Sequence, residues 1–207
     1  MGASIPTNVR TLIATTQTLL SRRKSPFDPV GIEIQRLLTL LNPLPPLSGW
    51  FPKSIHPSTV HIGAALKNSN ETTTAMLDAI TPVIRHLPWQ HDFSLSAKAP
   101  QLGQRVAVAE IIGPEAPFRN RALRLGLMLI APDTHCPAHH HSAAELFYVL
   151  TGIATWVQNS EPRKAPPGTF ILHPSQSVHT VCTSADAVLS LYVLRCIDSA
   201  DAPEYSI

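Results

Sequence analysis

His139-His140-His141-Ser142-Ala143-Ala144-Glu145-Leu146-Phe147-Tyr148-Val149-Leu150 is a histidine run that passes, through one carboxylate, into an apolar stretch of strand character. On an extended chain successive side chains alternate faces, so His139, His141, Glu145 and Phe147 point one way and His140 and Tyr148 the other. A carboxylate set into an apolar strand needs a partner or an ion, because burying it alone is costly. Two imidazoles and a carboxylate on one face make three metal ligands. Pro174-Ser175-Gln176-Ser177-Val178-His179 supplies a fourth if the strand bearing His179 lies beside the first. The expectation is one divalent transition metal on His139, His141, Glu145 and His179, and this nitrogen and oxygen set suits zinc, iron, manganese or nickel alike.

Around this stretch the chain has the texture of a β-structure. Short apolar runs at 105–112, 121–130, 145–150, 154–158, 169–172, 179–182 and 187–195 are separated by Gly, Pro, Asn and Asp, which predicts closely spaced strands in a sandwich or barrel over 101–207. Residues 1–100 read instead as helices joined by Pro-rich turns. One is expected over 9–23 with Asn8 as N-cap, one over 29–41 behind Asp28 and Pro29, and one over 72–87 that Pro82 should kink or divide. The fold class is therefore mainly β, with an α-helical N-terminal region packing on the barrel. Trp50 and Trp89 are expected to pack the two parts together, and His173 to sit at a turn or rim.

A chain of 207 residues suits one domain with a sizeable core, and a charged fraction of 14% excludes a disordered polymer. The formal net charge of +2, without any basic run interleaved with aromatics, argues against nucleic acid as a partner. No apolar run reaches membrane-spanning length, so no membrane partner is expected. Cys136, Cys182 and Cys196 lack disulfide-framework spacing and suit a reducing compartment. Met1-Gly2 opens like an acylation signal, but Pro6 stands where Ser or Thr is required, and a cytoplasmic location is expected. A homodimer is compatible with the exposed edges of a jelly roll.

His139, His141, Glu145 and Gly152, followed by Gly168, Pro174 and His179, resemble the two linked motifs of the cupin superfamily. The resemblance implies a small jelly-roll β-barrel with a metal inside. Two marker glycines are replaced, by Asp133 ahead of the first motif and by Gln176 within the second. A narrower resemblance takes in the helical N-terminal region, Leu87-Pro88-Trp89, the triple histidine and Glu145-Leu146-Phe147: the chain is similar to the cupin-type dimethylsulfoniopropionate (DMSP) lyases and their lyase-like relatives.

That resemblance implies a metal that holds a substrate carboxylate, removal of the proton α to it, and elimination of a β leaving group. It also implies a pocket tyrosine two residues after the metal-binding Glu, where this chain has Phe147, and a second one near Cys136. A phenyl ring neither accepts a proton nor ligates a metal. Tyr192, in the last long strand, and His135, in the loop before the histidine run, are then the candidates for acid–base work; His140 is expected on the outer face. The leading expectation is a metal-dependent lyase acting on a small carboxylate. An iron-dependent cupin dioxygenase uses an equivalent ligand set, and a non-catalytic metal- or ligand-binding cupin is the third alternative.

Overall fold

The computed structural model describes residues 4–49, 54–91 and 99–196. Its helices are Ile5–Arg23 (α1), Pro29–Leu40 (α2), Ile62–Ala65 (α3) and Thr74–Ile80 (α4). α1 begins earlier than its apolar spacing suggests, because the Ser4 side chain accepts the Thr7 N–H and Pro6 suits the first turn; Asn8 thus lies inside the helix and is not its cap. α2 starts as expected, with the Asp28 carboxylate accepting the Gly31 N–H. Pro82 falls between α4 and a 3₁₀ turn at Ile84–His86, so the segment read as one helix is two short pieces.

Among the described residues nine strands follow: Val106–Gly113 (β1), Phe118–Arg119 (β2), Leu123–Ile130 (β3), Ala144–Thr151 (β4), Ala154–Gln158 (β5), Glu161–Ala165 (β6), Phe170–His173 (β7), His179–Thr183 (β8) and Val188–Arg195 (β9). They form a six-stranded sheet, β2-β1-β3-β9-β4-β7, and a three-stranded sheet, β6-β5-β8, which together make the jelly-roll barrel. The sequence pattern misses β2 and β6. β2 is two residues long, and β6, Glu-Pro-Arg-Lys-Ala, is an exposed edge strand whose Pro162 and charges are what such an edge tolerates.

Strand alternation sorts the large sheet into two cores. Leu123, Leu125, Leu127 and Leu129 of β3, with Leu189, Leu191 and Val193 of β9, face the helices and join Val9, Leu12, Ile34, Leu37 and Trp89 in one cluster. Phe147, Val149, Ile171, Val181, Val188 and Tyr192 face the barrel interior and form the other. Burying each Leu or Val against the sheet contributes about 1.5–3 kcal/mol, so the helical layer is part of what holds the barrel's outer face. Tyr148 points away from the barrel interior, as its parity requires, but it is covered by that layer and donates its hydroxyl to the Thr72 carbonyl at 3.1 Å. Trp89 is in the same core with its Nε1–H on the Ile84 carbonyl at 2.7 Å; Trp50 lies outside the described residues. The buried Glu33 carboxylate ties α2 to β9 by two hydrogen bonds from Arg195, at 2.5 and 3.0 Å.

The four turn positions of the motifs share one backbone feature. Gly152 and Gly168 have φ of +72° and +94°, and Asp133 and Gln176, which stand where glycines are replaced, keep φ at +48° and +63°. The left-handed conformation survives at both positions without the glycine. At Gly152 the constraint is stricter, since a Cβ would collide with the Ala187 carbonyl oxygen at 2.5 Å. Gly152→Ala is therefore expected to destabilise the protein by about 1–3 kcal/mol or more, read as a lower midpoint in chemical denaturation with an unchanged slope.

Candidate metal centre

The strand that the histidine run was expected to form is interrupted. Residues 142–143 bend, and β4 starts at Ala144. What positions His139 is pairing with β8: its N–H donates to the His179 carbonyl at 3.0 Å and the His179 N–H donates back at 2.9 Å. His141 is held by its carbonyl, which accepts the Gln176 N–H at 2.8 Å. The turn before β8 thus clamps the histidine run, and His139, His141 and His179 come together with ligand nitrogens within 4.8 Å of one another.

Each ring is oriented in the same way. His139 Nδ1 meets the Pro137 carbonyl at 2.9 Å, His141 Nδ1 the Ala143 carbonyl at 3.0 Å, and His179 Nδ1 the Ser177 carbonyl at 2.9 Å. A carbonyl only accepts, so each Nδ1 carries the proton and each neutral ring turns an Nε2 lone pair to the centre. Glu145 adds its carboxylate, with Oε2 at 3.2 Å from His141 Nε2 and 3.6 Å from His179 Nε2. His179 Nε2 is buried and has no hydrogen-bond partner. Three imidazole nitrogens that converge in this way could hold a cation, and with the neighbouring carboxylate they are a donor set that zinc, iron, manganese or nickel accepts.

His173 was expected at a turn or rim and is instead fully buried in the barrel, paired with Glu145 across β4 and β7. Its ring stacks on His179 with centroids 4.0 Å apart and planes 10° from parallel. The available signal was its parity with Ile171 in a short apolar strand. Trp156 and Phe147 complete the wall, 4.6 Å apart between centroids, with Trp156 5.7 Å from His173.

Of the two acid–base candidates, Tyr192 is buried on the interior face, directly opposite Phe147 in the β4–β9 register. Its ring leans over Gly126 of β3, where a Cβ would fall 2.8 Å from the Tyr192 hydroxyl. His135 is exposed and turns its Nδ1 to the Cys182 Sγ at 3.3 Å. Cys182 alternates with the inward-facing Val181, so this pair lies on the outside of the barrel and His135 is not brought to the centre. His140 also turns outward and meets the Gln176 side chain at 2.9 Å. Cys136 packs in the interior cluster.

Electrostatics follow from burial. His139 is held down at about 4 by loss of solvent and by the neighbouring His179, and His173 at about 3 for the same reasons. The two depressed histidines bind protons more weakly folded than unfolded, where the ordinary value is 6.5. Their contribution to stability is complete above that value and is lost as the pH falls toward 4.

The family model described as dimethylsulfoniopropionate lyase matches residues 34–190. The chain belongs to the DMSP lyase family. It is 24% identical over 149 residues to dimethylsulfoniopropionate lyase DddQ of Ruegeria pomeroyi, a match that covers 70% of this chain and 74% of the relative. Among solved structures, one described as crystal structures of the DMSP lyases RdDddP and RnDddQII superposes with a TM-score of 0.80 at 21% identity, covering 99% of this chain and all of the other. DddQ from Ruegeria pomeroyi gives 0.76 at 23% identity, covering 95% of this chain and 94% of that one. These likenesses establish the shared fold, a β-barrel with helices at its N-terminal end. Among the described residues no helix is long and apolar enough to cross a membrane.

Two outcomes are expected of the centre. Acidifying the metal-free protein from pH 7 to 4.5 should lower its melting temperature, with a loss of up to about 1.4 kcal/mol per pH unit for each of the two histidines. His141→Ala should reduce the bound metal, measured by elemental analysis of untagged protein, from one equivalent to a small fraction.

Proposed function

We propose that this member of the DMSP lyase family is a metal-dependent lyase that removes the proton α to the carboxylate of a small acid and expels a β substituent. The single observation that carries the reading is the convergence of three Nε2 atoms and the Glu145 carboxylate, each imidazole having its Nδ1 committed to a carbonyl. His139, His141, Glu145 and His179 would hold the ion. When bound, the cation supplies Lewis acidity, attracting a carboxylate and favouring the negative charge that develops as the α proton leaves.

Tyr192 is the proposed proton acceptor. Tyr192 lies opposite Phe147 in the register on the inner face of β9, with its hydroxyl over Gly126 of β3, in a protein that lacks a phenol at position 147 itself. In the proposed step the α C–H bond breaks, its proton passes to the phenolate oxygen, the electron pair forms the C=C bond, and the β substituent leaves with its own bonding pair. For DMSP this gives dimethyl sulfide and acrylate. The Phe147 ring, packed on Trp156, keeps water from that side of the pocket. His135 has no part in this scheme, because it lies on the outer surface.

Headspace dimethyl sulfide from purified, metal-loaded protein supplied with DMSP tests the reading. Release is expected to be weak, to rise in Phe147→Tyr, and to fall by about 10²-fold or more in Tyr192→Phe. Unchanged release in Tyr192→Phe would remove that residue from the scheme. Activity that persists without oxygen separates this lyase from an iron-dependent dioxygenase, for which an oxygen electrode would record uptake.

A further inference from the structure

Trp156 and His173 are buried polar side chains without a hydrogen-bond partner for Trp156 Nε1 or for either ring nitrogen of His173. Ser190 Oγ and His179 Nε2 are unpartnered as well, whereas Thr183, on β8, donates to the Ala131 carbonyl at 2.7 Å and accepts the Thr134 N–H at 3.0 Å. Leaving donors unpaired in a water-poor interior is costly, so a pair of adjacent orphans points to a ligand.

The stacking geometry limits what that ligand is. A cation bound to His179 Nε2 lies in the plane of the His179 ring. His173 is stacked nearly parallel to that ring, with centroids 4.0 Å apart, so its nitrogens face across the same layer and not toward the ion. His173 is thus beside the metal ligands without being one of them. Trp156 offers a donor and the imidazole of His173 one donor and one acceptor. Both also line a cleft of about 520 Å³ between the free edges of β6 and β7, shared with Pro29, Gln158, Arg163 and Phe170 and adjoining the candidate ligands only through His173.

We infer that Trp156 and His173 form a second recognition point beside the metal ligands and take an oxygen at the far end of a small carboxylic acid whose carboxylate is held at the metal. This rests on the metal-dependent reading given above. The preferred ligand class is then an acid with a hydroxyl or carbonyl oxygen on its β or γ carbon, and not one that ends in alkyl groups alone. The Trp156 N–H donates to that oxygen, and a hydroxyl proton goes to the unprotonated nitrogen of His173.

Calorimetry on the cobalt(II)-loaded protein, with propionate and 3-hydroxypropionate as probes, tests the assignment, and the cobalt absorption spectrum reports the metal site independently. Wild type is expected to bind 3-hydroxypropionate about tenfold more tightly than propionate. Trp156→Phe, which keeps an aromatic ring, should erase the preference and leave propionate affinity and the cobalt spectrum unchanged. His173→Phe, which keeps the stack, should reduce the preference in the same direction. Equal affinities in wild type, or an intact preference in Trp156→Phe, would overturn the inference while leaving the metal centre standing. A protein that gives no cobalt spectrum would overturn the metal-dependent reading itself, and this inference with it.

Discussion

Three hydrogen bonds from imidazole Nδ1–H groups to backbone carbonyls, two residues away in each case, determine the rest of the site. Because the proton of each ring is spent locally, the inward nitrogens are acceptors, and they meet a carboxylate that is also an acceptor. The arrangement has no internal way of cancelling that repulsion. It is kept in place by structure built around it: the two-way backbone pairing of His139 with His179, the Gln176 N–H on the His141 carbonyl, and a β4 strand buried from end to end. The helical layer contributes to this, since it seals the face of β4 that the barrel does not.

The convergence of His139, His141 and His179 was legible because strand parity and motif spacing report side-chain direction directly. The route by which they converge was less so. Parity treats 139–145 as one strand, whereas the chain bends at 142–143 and recovers the same facing through a bridge to β8. The barrel's long apolar strands could be read from their runs. Glu161–Ala165 could not, since an edge strand is selected to look unlike a strand. Helix onsets were displaced where a cap competed: Ser4 holds the first turn of α1 more firmly than apolar spacing reveals. His173 was expected at a turn or rim and Trp156 was passed over for a different reason. Their interest lies in what fails to bond to them, and that is a property of the packed interior.

The interior divides its labour between strands. β4 brings the carboxylate, β7, β8 and the segment ahead of β4 bring the imidazoles, and β9 brings a phenol whose ring has somewhere to lie because β3 has no side chain at Gly126. Where the family resemblance calls for a hydroxyl on β4, this chain has Phe147, and the adjacent inward position across the register holds Tyr192. The Tyr192 hydroxyl lies over Gly126 of β3, on the side of β9 away from β4. The aromatic wall of Phe147, Trp156 and His173 then closes the volume that a second phenol would have shared.

The replaced glycines carry a broader consequence. Asp133 and Gln176 hold the same sign of φ as Gly152 and Gly168, at positions where most residues would resist it. A pattern written in amino-acid letters scores both as mismatches, whereas one written in torsion angles scores both as agreements. Distant barrels of this architecture are thus better recognised by asking which residues can tolerate a left-handed kink than by counting glycines.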